Sequence, residues 1–170
     1  MRSGQRNTGS PGPVSSRVPV DAAPPRHRRV ADPAVLGVVS LGGVLGAEAR
    51  YAVSLWLPHG PAQLAVGTWL VNTSGCFLIG VLMVVVTELT SPHRLIRPFL
   101  GVGILGGYTT FSTATVEVQQ LALGGRAGLA LGYLLGTVLA ALVAATAGMT
   151  MTRAIGTVWV RRRAGRGGRS

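Results

Sequence analysis

The densest group of hydrogen-bonding side chains in this 170-residue chain sits inside an apolar stretch. In Gly101-Val-Gly-Ile-Leu-Gly106-Gly107-Tyr-Thr-Thr-Phe-Ser-Thr113, a doubled glycine stands beside Thr109, Thr110, Ser112 and Thr113. Glycine costs about 1 kcal/mol per residue in a helix interior relative to alanine, and threonine is a mediocre helix former. The run therefore predicts a break. In a bilayer, broken backbone is tolerated where it lines a protein cavity or binds something, and broken helices bind ions and substrates. Close helix packing alone would explain the glycines but not four hydroxyls. Asn72 interrupts a second apolar stretch, and Tyr133 and Thr137, four apart, share a helix face in a fourth. Glu48, Arg50 and Glu117 are ionisable groups within apolar stretches, which makes them functional candidates. Glu48 and Arg50 are two apart and do not face each other on a helix. These are groups for holding or passing a small polar species. No metalloprotease pair, nucleophile elbow or phosphate loop is present, so an enzyme is not expected. A single Cys, Cys76, excludes an intrachain disulfide and a multi-cysteine metal site.

The elements that must hold these residues follow from composition. Charged residues make up 12% of the chain, about half the usual share. The stretch 34–152 contains seven of them, and the other 14 lie in the flanks. A water-soluble domain needs charge over its whole surface, so a soluble fold is excluded. A nucleic-acid-binding domain is disfavoured because the arginines flank the apolar body instead of patterning it. Crossing a membrane takes about 20 apolar residues. Four stretches qualify: 34–57, about 62–87, about 98–123 and about 127–152. Short links make them antiparallel neighbours. The expected architecture is an all-α membrane protein of four transmembrane helices, the third broken at its centre. Residues 1–33 read as a disordered Arg/Pro-rich tail, residues 34–152 as the membrane domain, and residues 153–170 as a second basic tail. Four spans put both tails and the second loop on one side, with 14 arginines against Arg126 alone on the other. The positive-inside rule then predicts cytoplasmic termini in the inner (plasma) membrane.

Three motifs, one per span, together resemble the CrcB-type (Fluc) fluoride channels. They are Gly42-Gly43-Val-Leu-Gly46-Ala47-Glu-Ala-Arg50-Tyr51, Gly67-Thr68-Trp-Leu-Val71-Asn72-Thr-Ser-Gly75-Cys-Phe77-Leu-Ile-Gly80, and Gly103-Ile-Leu-Gly106-Gly107-Tyr-Thr109-Thr110-Phe111-Ser112-Thr113. The resemblance covers roughly residues 34–152. It implies passive fluoride efflux through an antiparallel, dual-topology dimer, with two pores along the subunit interface. It also implies a structural Na+ at the centre, held by backbone carbonyls of Gly106 and Thr109. The fluoride path would be lined by the amide of Asn72, the hydroxyls of Ser112, Thr113, Tyr133 and Thr137, and the ring edge of Phe111, the positive part of its quadrupole. Arg50 would either supply positive charge near a pore entrance or satisfy carbonyls at a helix end. Glu117 occupies a family polar position beside the path, where it is expected to be hydrogen-bonded or partly protonated.

One position departs from the family pattern. A second phenylalanine is usual three residues after the first, and here it is Ala114. A sequence that inserts both ways should also show little arginine bias, and this one shows a large bias. The two features predict a heterodimer with an oppositely inserted homologue over a homodimer. The rival reading is a small multidrug-type proton-coupled exporter using Glu48, which would need neither the Asn72 motif nor the broken span.

Overall fold

The computed structural model describes residues 32–60, 63–90 and 92–167. Within them the chain is helical, with no strand among the described residues. Helix α1 (Pro33–Trp56) is followed by α2 (Val66–Val84), which continues as a π-helical turn (Val85–Leu89). A π-helical segment (Pro98–Leu105) runs into the single turn α3 (Gly106–Tyr108), and then come α4 (Phe111–Leu123) and α5 (Ala127–Gly167). Three helices are long and apolar enough to cross a membrane: Pro33–Trp56, Val66–Leu89 and Ala127–Thr157. They correspond to the first, second and fourth expected spans. The third is divided into two halves, 98–108 and 111–123, each too short to cross alone.

Local chemistry explains the starts and stops. Asp32 caps α1 by accepting from the Ala34 amide at 3.0 Å, and Pro33 occupies the first helical position. Thr110 caps α4 through its hydroxyl, which accepts from the Thr113 amide at 3.2 Å. Gly125, with φ of +74°, makes the left-handed turn between α4 and α5. Of the expected N-terminal tail, 1–31 lies outside the described residues.

The doubled glycine does something other than break the helix. Helical backbone runs through both Gly106 and Gly107, and the break falls at Thr109 (φ −78°, ψ 157°) and Thr110 (φ −149°, ψ 124°). The glycines instead let α1 and the third span touch backbone to backbone. A methyl on Gly42 would lie 2.6 Å from the Phe99 carbonyl oxygen, and one on Gly103 would lie 2.9 Å from the Gly42 Cα. Methyls on Gly46 and Gly107 would collide with the carbonyl oxygens of Ile104 and Gly43. Helices α2 and α5 meet the same way, with Gly80 against the Ala145 carbonyl and Gly148 against that of Phe77. Such small-residue seams let dispersion act between helices in a medium that supplies no hydrophobic drive. A small core of Ala65, Leu121, Ala130 and Tyr133, flanked by Trp69 and Val118, joins the start of α2 to α4 and α5.

Helical backbone runs past the fourth expected span: residues 153–167 continue α5. Arg153 forks onto Glu88 of the π-helical turn, with its Nη2 2.7 Å and its Nε 3.0 Å from Oε1. Arg94 pairs with Asp32 at 2.7 Å. Two of the arginines that set the charge asymmetry thus hold the ends of helices together.

Candidate functional site

The site begins at the break. Between α3 and α4, Thr110 has extended backbone, and its amide leaves the preceding helix ladder. Asn72 of α2 bonds both the amide and the carbonyl of Thr110. Its Nδ2 donates to the Thr110 carbonyl at 2.8 Å, and its Oδ1 accepts from the Thr110 amide at 2.8 Å. One side chain thus acts as a peptide group and stitches the broken span to α2. Asn72 and Thr110 are both buried. The Thr110 amide would otherwise bond the Gly106 carbonyl, so taking it frees that oxygen from the helix. Thr109 still closes the preceding turn, its amide 3.0 Å and its hydroxyl 2.9 Å from the Leu105 carbonyl.

Hydroxyls gather just past the break. The Thr110 hydroxyl lies 3.0 Å from Thr113 Oγ1 and 3.3 Å from Ser112 Oγ. Phe111, Ser112 and Thr113 form the exposed first turn of α4, and Phe111 is 78% exposed. The hydroxyls of Ser112 and Thr113 thus lie on an exposed turn.

A second cluster surrounds Glu117, which is 4% exposed. Thr68 of α2 donates to its Oε1 at 2.5 Å, and Tyr133 of α5 donates to its Oε2 at 2.8 Å. The Tyr133 hydroxyl also reaches the Ala65 carbonyl at 3.1 Å. His59, in the loop after α1, brings Nε2 to 3.5 Å from Oε1. Both oxygens of Glu117 are thus hydrogen-bonded.

These groups line two hollows. Arg50 and Thr113 share a cleft of about 210 Å³ with Tyr51, Ser54 and Thr68. Asn72, Phe111, Tyr133 and Thr137 share a cavity of about 50 Å³, and Ala114 forms part of its wall. Thr68 belongs to the first and Tyr133 to the second, and both donate to Glu117, which lines neither. Thr137 uses its hydroxyl on the Tyr133 carbonyl at 2.7 Å, and Ser112 lines neither hollow. Glu48 is exposed on α1, apart from the cluster. Sequence reasoning assigned no role to Thr68, Thr110 or His59. Thr68 and Thr110 stand within the motifs quoted above, and the extended residue of a break always needs a backbone partner. Nothing in the sequence marks His59. Among the described residues no group of three or more His, Cys, Asp or Glu could hold a metal.

This arrangement offers donors and one arginine to an anion and holds no nucleophile and base poised for covalent chemistry. Residues 37–149 match the family described as CrcB-like protein, Camphor Resistance (CrcB). The chain belongs to the CrcB family. The matched region takes in every CrcB residue of the break, of the Glu117 cluster and of both hollows. The chain is 54% identical over 122 residues to Fluoride-specific ion channel FluC 2 of Nocardia farcinica, covering 72% of this chain and 87% of that one. It is 48% identical over 137 residues to FluC 1 of Streptomyces coelicolor, covering 81% and 86%. It is 43% identical over 131 residues to FluC 2 of Streptomyces avermitilis, covering 77% and 80%, and that organism also has a FluC 3. CrcB membership with these helices makes the chain a multi-pass membrane protein.

Proposed function

We propose that this chain is a subunit of a fluoride-specific channel that lets fluoride leave the cytoplasm passively. The observation that supports it most is the Asn72–Thr110 stitch, an energetically expensive polar break kept at membrane depth beside hollows lined with donors and Arg50. Fluoride holds water tightly, so a pore must replace that water with fixed donors. Arg50 and the hydroxyl of Thr113 supply them in the cleft. The second Nδ2 hydrogen of Asn72 and the ring edge of Phe111 supply them in the cavity. Tyr133 acts one step back, because its hydroxyl is engaged by Glu117 and Ala65. An inside-negative potential drives the anion outward, and the site needs no catalysis.

The channel is a dimer of inverted subunits. Gly106, Ser112 and Thr113 are exposed on the single chain, at a depth where lipid cannot satisfy them. On α5, Gly128, Gly132 and Gly136 recur every fourth residue with nothing within 4 Å of an added methyl, a spacing suited to another helix. The break suits a Na+ between subunits. The Gly106 carbonyl has lost its helical partner, and hard cations take oxygen ligands. Gly106 and Thr109 are the residues that would hold it. When bound, the ion supplies fixed positive potential close to the anion path.

The partner is a homologue and not a second copy. The arginine asymmetry orients this chain with cytoplasmic termini in the inner membrane, and an inverted copy would contradict that bias. Ala114 stands beside Phe111 where the family usually supplies a second aromatic, so the partner must complete the lining. Fluoride efflux from liposomes tests the reading. The chain together with a co-encoded homologue should release fluoride, and the chain alone should release little. Strong release by the chain alone would remove the heterodimer, and no release by either would remove the channel. Glu48→Gln should leave efflux near normal, whereas a proton-coupled exporter would stop.

A further inference from the structure

Glu117 poses a problem for an anion path. A carboxylate held by one residue from each donor-lined hollow repels the species those hollows invite. Thr68 and Tyr133 are neutral donors, so they orient its charge without cancelling it. His59 is different in kind. Its Nε2 stands 3.5 Å from Oε1, its side chain is 29% exposed against 5% for Glu117, and it lies in the loop between α1 and α2. The imidazole is therefore open on one side and meets the buried carboxylate on the other.

The geometry points to His59 as the charge-compensating residue of the anion path. Protonated, it cancels Glu117 and admits anions from the loop side; neutral, it leaves the carboxylate to repel them. This rests on the channel reading above. The groups facing the pair come from several elements. Thr68 comes from α2 and the titratable Tyr133 from α5, while Arg50 and Tyr51 of α1 line the adjoining cleft. Arg126, in the turn between α4 and α5 at the same end, has interactions of its own. Histidine is the side chain type that ordinarily changes charge between about pH 5 and 8. Flux should therefore be high at the acid end of that range and fall toward the alkaline end.

Fluoride efflux is measured across that range for the full chain, with its homologous partner where flux requires one. Protein-free vesicles are subtracted. The unmodified chain should lose about fivefold in flux from acid to alkaline, the worth of one ion pair at a partly exposed site. His59→Gln should be flat at the low level and His59→Arg flat at the high level. A flat profile for the unmodified chain, or a slope that survives His59→Gln, overturns the proposal. A second readout does not depend on transport. The side-chain nitrogen-15 resonance of His59 in labelled protein should move on Glu117→Gln. If flux is present and the resonance stays put, the pairing is wrong and the channel stands. If the resonance moves and no flux is seen under any condition, the channel reading fails and the gating role fails with it.

Discussion

At the scale of single residues, one amide side chain determines whether the break is tolerable. Asn72 gives an acceptor to the Thr110 amide, which has left its own helix, and a donor to the Thr110 carbonyl. Asn72→Ala would strand the buried Thr110 amide, at about 1–3 kcal/mol. We expect fluoride flux to fall by about tenfold or more, an effect of ~1.4 kcal/mol at the site, together with faster amide exchange at Thr110. Unchanged exchange at Thr110 would show that the stitch does not hold the break. The identity of Asn72 as a polar residue in hydrocarbon was legible from the sequence, because such a residue needs partners. Its direction was not. The partner is a main-chain group 38 positions away, and nothing in residue type distinguishes that use from donation to an ion. Tyr133 illustrates the same limit, since its hydroxyl, expected on the path, is spent on Glu117.

At the scale of elements, the spans were legible and their internal joints less so. Apolar length alone located three helices to within a few residues, because crossing a bilayer fixes about 20 residues per pass. The break was foreseeable from the Gly-Gly-Tyr-Thr-Thr run, but it falls two residues later than the glycines suggest. Packing overrides propensity there: Gly107 lies on the backbone of Gly43 within a helical turn, and the backbone becomes extended only at Thr109 and Thr110. The extension of α5 past Thr152 was missed because arginines read as tail composition, yet arginine is also a good helix former and no proline intervenes. The glycine seam yields a prediction of its own. Gly103→Ala forces a methyl against the Gly42 backbone, and should destabilise the protein by about 1–3 kcal/mol, read as a lower melting temperature in detergent. Gly37→Ala, where nothing lies within 4 Å, should not lower it. Equal melting of the two variants would refute the seam.

At the scale of the whole molecule, the chain is open where membrane proteins are normally closed. Gly132→Leu would fill the vacant space on α5 and should convert the proposed dimer to monomer on native mass spectrometry, with flux lost. A dimer that persists would move the interface elsewhere. The outward-facing seam at the break bears on the life of the protein in the cell. A subunit made in excess of its mate would leave carbonyls and hydroxyls in oil, a species that quality-control proteases extract from membranes. Its abundance should then follow the supply of its companion instead of its own rate of synthesis, and deleting the companion should shorten its half-life without any change in its message.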